Sequence, residues 1–251
     1  MIYILAFFVS IIPAALVVAW LMKRDRDDLY RQSCRYALKK GALSIFPIIG
    51  ASAVFNILSA LLFKDAPVLV YQAIYKFIVL ALAEELVKFL TLKKVLKDHR
   101  GACSWADVTA FMVIIGSAFG LVEDIPYAIG ASPMVMLVRG ITTGHTGYGF
   151  IMGWFYGKKL YTGKKGFGVI AFMLPWLFHG LYDFSLTEEL LAVNDNLAVI
   201  AVSLALMDIV LLVLTIRFFR RSRRIERYNE PLACFEASAP EELSSTSEDS
   251  V

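Results

Sequence analysis

The residues able to do chemistry lie inside apolar runs. Ionisable groups there cost several kcal/mol and mark function by default. The first such segment is Ala83-Glu84-Glu85-Leu86-Val87-Lys88. Adjacent helical positions point about 100° apart, so the two carboxylates do not share a direction. Either one can pair with Lys88, at i,i+4 from Glu84 and i,i+3 from Glu85. A local salt bridge with a snorkelling Lys88 would explain one glutamate, but not both. Further along come Phe119-Gly120-Leu121-Val122-Glu123-Asp124, then Gly144-His145-Thr146-Gly147-Tyr148-Gly149, then His179-Gly180-Leu181-Tyr182-Asp183. His179 and Asp183 share a helix face, where the carboxylate can accept from the imidazole and fix its tautomer. Arg139 is expected to snorkel towards the outer face. Asp208 is expected to be a structural acid or an interhelical hydrogen-bond partner, and Asn56 is similarly ordinary.

Two glutamates, a further acid and two histidines form a set that can polarise water. A carboxylate serves as general base, and an imidazole stabilises an oxyanion or shuttles a proton. The same residue types ligate zinc with one position left open for water. A metal, if present, would draw on Glu84, Glu85, Glu123, His145 and His179. The sequence has no HExxH motif, and metal-dependent and metal-free mechanisms both stay open. No serine or cysteine stands as an obvious nucleophile. The fitting chemistry is hydrolysis by activated water inside a membrane. Intramembrane acids and histidines also build proton relays, so a proton-coupled transporter or channel is the competing reading. The lack of an internal repeat weakens it.

The elements that must carry these residues are membrane helices. Of 251 residues, 58% are hydrophobic and only 19% are charged. Soluble domains sit near 45–50% and about 25%. This excludes a soluble enzyme, a disordered protein and a nucleic-acid binder working through a basic surface. Runs of roughly 20 apolar residues are the length that crosses a bilayer. Seven are expected: Ile2–Met22, Gly41–Phe63, Pro67–Leu92, Ala106–Ala128, Pro133–Gly157, Phe167–Phe184 and Leu197–Phe219. The basic residues after the first run, and not before it, argue against a cleaved signal peptide. Lys and Arg crowd every second loop, which the positive-inside rule reads as N-terminus outside and C-terminus cytoplasmic. The expected fold is therefore an all-α polytopic bundle over residues 1–227. A Ser- and Glu-rich stretch, 228–251, is expected to be a disordered cytoplasmic tail. Cys34, Cys103 and Cys234 fall on cytoplasmic segments, where thiols stay reduced.

In order and content, Glu84-Glu85-x-x-Lys88, Phe119-x-x-x-Glu123, Gly144-His145 and His179-x-x-x-Asp183 resemble the PrsW-type intramembrane proteases, distant relatives of the CAAX prenyl proteases and the Abi proteins. The resemblance covers about Tyr71 to Asp183. Asn often follows the second-motif glutamate in that family; here it is Asp124. The resemblance implies a multi-pass cell-membrane protease that makes the first, extracytoplasmic cut in a single-pass anti-sigma factor during envelope stress. It implies Glu84 or Glu85 as the base for water, with His179, oriented by Asp183, and His145 holding the oxyanion. Glu123 would assist or ligate, and Lys88 and Phe119 would support. Depth counting stands against one part of this. At 1.5 Å per residue, Glu84 falls ~25 Å from the outer face and Glu123 ~25 Å from the inner face.

Overall fold

The computed structural model of the chain describes residues 2–24, 27–98, 104–130, 139, 144–187 and 196–226. These are helical throughout, with no strand among the described residues. The helices are α1 (Ile2–Met22), α2 (Asp28–Leu43), α3 (Ile45–Phe63), α4 (Val68–Ile74), α5 (Ala83–Asp98), α6 (Trp105–Gly130), α7 (Gly144–Thr162), α8 (Lys165–Ser185) and α9 (Asn196–Glu226). A π-helical segment, Tyr75–Leu82, joins α4 to α5. Among the described residues, four stretches are long and apolar enough to cross a membrane: Asp28–Phe63, Trp105–Pro126, Lys165–Ser185 and Val202–Ser222. The tail beyond Arg227, Cys103 and Cys234 lie outside the described residues. Cys34 is a buried free thiol.

The outside of the bundle is as apolar as its inside. Phe46, Ile49, Leu61 and Leu62 on α3, and Val199, Val202 and Leu206 on α9, are all exposed. Such a surface is stable where hydrocarbon is the solvent, and helices satisfy their own backbone groups there. The central helix is α6, whose residues from Ala106 to Phe119 are buried without a break. Helix α7 packs on α6 through glycines. A Cβ at Gly149 would lie 2.8 Å from the Met112 carbonyl oxygen, and one at Gly153 would lie 2.8 Å from the Thr109 Cα. Small residues let backbones approach this closely, which is how helices associate in lipid.

One element was hidden in the sequence. The basic stretch after α1 reads as a loop, yet Asp28–Leu43 is a helix. Its N-cap is Asp27, whose carboxylate accepts from the Tyr30 amide at 2.7 Å. This satisfies one of the orphan donors of the first turn. Tyr30, Cys34, Ala37 and Gly41 bury one face, and the Tyr30 ring meets Phe111 of α6 at 5.5 Å. The lysines and arginines take the opposite side, the usual division of an amphipathic helix.

Candidate active site

The π segment decides how the adjacent glutamates are presented. A π turn carries an extra residue and is common at functional sites. Here its Phe77 carbonyl accepts a hydrogen bond from the Trp176 indole of α8 at 2.7 Å. One turn later on α8, Gly180 leaves room for the Phe77 ring, which a Cβ would strike. The segment is thereby fixed against the helix that carries His179.

Both glutamates then converge on one place. Lys88 Nζ lies 2.7 Å from Glu85 Oε1 and 3.5 Å from Glu84 Oε2. His179 Nδ1 lies 2.9 Å from Glu85 Oε1. A carboxylate only accepts there, so the imidazole Nδ1–H is the donor and Nε2 is left for the cavity side. His179 Nε2 is 3.8 Å from Glu84 Oε2 and 3.7 Å from Asp183 Oδ2. The Asp183 contact is too long for a hydrogen bond. Glu85, and not Asp183, therefore orients His179, which revises the i,i+4 reading.

His145 is carried by α7, on the side that meets α6. Its Nδ1 is 3.0 Å from Lys88 Nζ and its Nε2 is 2.7 Å from Glu123 Oε2. An ammonium can only donate, so Nδ1 accepts and Nε2–H donates to Glu123. Both ring nitrogens are thus spent. Close approach of α6 makes this contact possible. A Cβ at Gly116 would lie 2.3 Å from the His145 carbonyl oxygen, and one at Gly120 would lie 3.0 Å from the imidazole. Phe119 sits one turn before Glu123, with its ring 4.7 Å from Lys88 Nζ and 4.9 Å from the His145 ring. The Phe119-x-x-x-Glu123 spacing thus puts an apolar wall and an acid on the same face.

Glu123 therefore shares the site, and the depth objection fails. Glu84 and Glu123 line the same cavity, although α6 continues past Glu123 to Gly130. Arg139 is held in the site: its guanidinium bridges Glu123 at 2.7 Å and Asp124 at 2.9 Å. Tyr148 is a residue the motif reading did not single out, and Asp208 one it took as a structural acid or a hydrogen-bond partner. The Tyr148 ring stacks on His179 at 5.4 Å and 24°. Asp208 on α9 is fully buried, and neither carboxylate oxygen has a hydrogen-bond partner among the described residues.

These side chains surround a cavity of about 120 Å³, lined by Glu84, Glu123, Asp124, Arg139, His145, Tyr148, His179 and Asp183, with Ser10 and Ala14 of α1. Glu85 and Lys88 stand behind it, buried and bonded to the lining. Donor atoms of Glu84, Glu85, His145 and His179 lie within 4.8 Å of one another. Glu84 Oε2 and Glu85 Oε2 are buried without hydrogen-bond partners among the described residues. Two imidazoles and two carboxylates with spare lone pairs are the donor types of a catalytic zinc centre, and the set fits such an ion. Glu123 lies outside this group.

A family model described as PrsW family intramembrane metalloprotease matches residues 34–215. The Protease PrsW of Oceanobacillus iheyensis is 28% identical over 189 residues, covering 70% of this chain and 80% of that protein. The Protease PrsW of Shouchella clausii is 30% identical over 184 residues, covering 71% and 82%. That of Clostridioides difficile is 29% identical over 197 residues, covering 73% and 79%. No solved structure matches the chain. With the family match spanning more than half of the sequence and acids and histidines gathered in a cavity among apolar helices, the chain belongs to the PrsW family of intramembrane proteases, and it is a multi-pass membrane enzyme.

Proposed function

We propose that the cavity hydrolyses a peptide bond of a single-pass membrane protein by water activated on Glu84. The observation that carries this reading is the division of labour between the two glutamates. Glu85 is fully buried and bonded to both Lys88 and His179, whereas Glu84 lines the cavity. Glu85 therefore anchors, and Glu84 is the base. Glu84 takes a proton from water as the hydroxide oxygen attacks the scissile carbonyl. His179, held by Glu85 through Nδ1, faces Glu84 with Nε2, takes up the proton that Glu84 received from water and passes it to the leaving amine. Glu123 and Lys88 hold His145 from both sides, and Arg139 neutralises the Glu123 and Asp124 pair. His145 is a structural brace in this scheme rather than an oxyanion donor. Asp183 lines the cavity beside Nε2.

The family's description as metalloproteases implies a divalent ion, and Glu84, Glu85, His145 and His179 would hold it. Such an ion supplies Lewis acidity and lowers the pKa of bound water. The Lys88 ammonium contends for three of these four ligands.

The substrate carried by the resemblance is an anti-sigma factor, cut on its extracytoplasmic side in envelope-stress signalling. The topology that supports this is seven spans over residues 1–227, with an external N-terminus, a cytoplasmic C-terminus and a cytoplasmic tail at 228–251. The basic loops argue for it. The test co-expresses the chain with a single-pass anti-sigma substrate and follows cleavage by gel. Wild type cuts; Glu84→Ala, Glu85→Ala and His179→Ala at equal membrane abundance do not. Cleavage surviving in all three overturns the assignment. Proton flux without cleavage would favour the relay reading.

A further inference from the structure

We infer that Tyr148 is a further catalytic residue, its hydroxyl donating a hydrogen bond to the oxyanion of the tetrahedral intermediate. This rests on the peptidase reading above. That scheme lacks an oxyanion donor: His145 has both ring nitrogens engaged, and Arg139 is engaged by Glu123 and Asp124. Backbone amides in the interior of an α helix are committed to its own ladder.

Tyr148 answers the need on three grounds. It lines the cavity with Glu84 and His179. Its ring lies flat on the His179 imidazole, 5.4 Å between centroids and 24° between planes. That hydroxyl is buried, on a residue only 2% exposed, and has no hydrogen-bond partner among the described residues. A buried tyrosine normally finds a partner, and an unsatisfied buried group costs stability. Phenylalanine would fill the same space without that cost. The hydroxyl's use therefore lies in a state with substrate bound. As hydroxide adds, the carbonyl π electrons move onto oxygen, and the phenol stabilises that charge while keeping its own proton. Collapse re-forms the carbonyl, breaks the C–N bond and releases the amine protonated through His179.

The test uses the full chain in proteoliposomes with a single-pass substrate, comparing wild type, Tyr148→Phe and Glu84→Gln. For Tyr148→Phe, kcat falls about 10²-fold, as for loss of one oxyanion-hole donor, while KM stays within about twofold. Its thermal unfolding midpoint equals or exceeds that of wild type. A peptidyl aldehyde, which binds as a tetrahedral hydrate, loses about 10²-fold affinity for the variant in step with kcat. If Tyr148→Phe keeps wild-type kcat and aldehyde affinity while Glu84→Gln is inactive, this inference fails and the peptidase reading stands. A lowered midpoint with an unchanged rate per folded molecule also overturns it, by making the hydroxyl structural. If wild type does not cleave, or Glu84→Gln cleaves normally, the peptidase reading fails and the inference with it.

Discussion

Gly116→Ala tests whether the approach of α6 to α7 sets the site. The added Cβ would lie 2.3 Å from the carbonyl oxygen of His145, against an ordinary contact of 3.4–4 Å. The obstacle is backbone, so it cannot rotate away, and a gap of about 1 Å must open between the helices. That gap opens at the residue whose ring spans 2.7 Å to Glu123 and 3.0 Å to Lys88. Lengthening either contact by that much takes it out of hydrogen-bond range. Overpacking of this kind costs about 1–3 kcal/mol of stability. A misplacement of ~1 Å in supporting groups can cost about 10² in rate. The assay measures kcat/KM on a single-pass substrate in proteoliposomes, with thermal unfolding in detergent. Gly50→Ala is the control: nothing lies within 4 Å of its Cβ, and alanine suits the helix. Gly116→Ala is expected to lose both stability and rate, and Gly50→Ala neither. If Gly116→Ala matches wild type in both, close packing does not position His145 and the geometric reasoning is wrong.

Removing the ammonium in Lys88→Met leaves buried carboxylates without their cation, and should cost about 3–5 kcal/mol in denaturant unfolding. Unchanged stability would show that the pair is not held as described. The same variant frees three candidate metal ligands, so it should retain more zinc than wild type after dialysis against a buffered zinc solution, read by elemental analysis. Equal zinc would mean that Lys88 does not contend for those ligands. Trp176→Phe deprives the Phe77 carbonyl of its donor and should destabilise by about 1–3 kcal/mol. Hydrogen exchange should rise in 75–82 more than in α6; a uniform change would contradict a local role. Arg139→Gln should slow cleavage and spare the instability of Lys88→Met, because Arg139 is partly exposed, at 20% for its side chain, while Lys88 is at 1%. Equal destabilisation by the two would refute this ranking.

Particular residues show how far the sequence could be read. Glu84, Glu85, Glu123, His145, His179 and Asp183 stand out because charge in an apolar run is costly, and the structure brings all six around one cavity or directly behind it. The pairs with Lys88 were legible from their spacing, and both form; the pairing between helices was not. A uniform helix points Glu84 and Glu85 apart, and nothing in Tyr75–Leu82 announces a π turn. Asp183 has the right spacing for His179, but Glu85, far away in sequence, takes the hydrogen bond. Depth counting set Glu84 and Glu123 near opposite faces, yet both line one cavity. Helix α2 could have been found, since Tyr30, Cys34, Ala37 and Gly41 recur at steps of three and four beneath a crowd of basic residues. Tyr148 gave no such signal. An aromatic residue in a membrane helix is ordinary, and only its burial without a partner distinguishes it.

The central claim, that Glu84 activates water for peptide hydrolysis, is tested most directly by mass spectrometry of the products. Purified protein and a single-pass substrate are incubated in proteoliposomes in ¹⁸O-labelled water. The account predicts one new C-terminus carrying the label, and its loss by a factor of at least ~10² in Glu84→Gln at equal folding. Unlabelled products, or undiminished cleavage by Glu84→Gln, would contradict it.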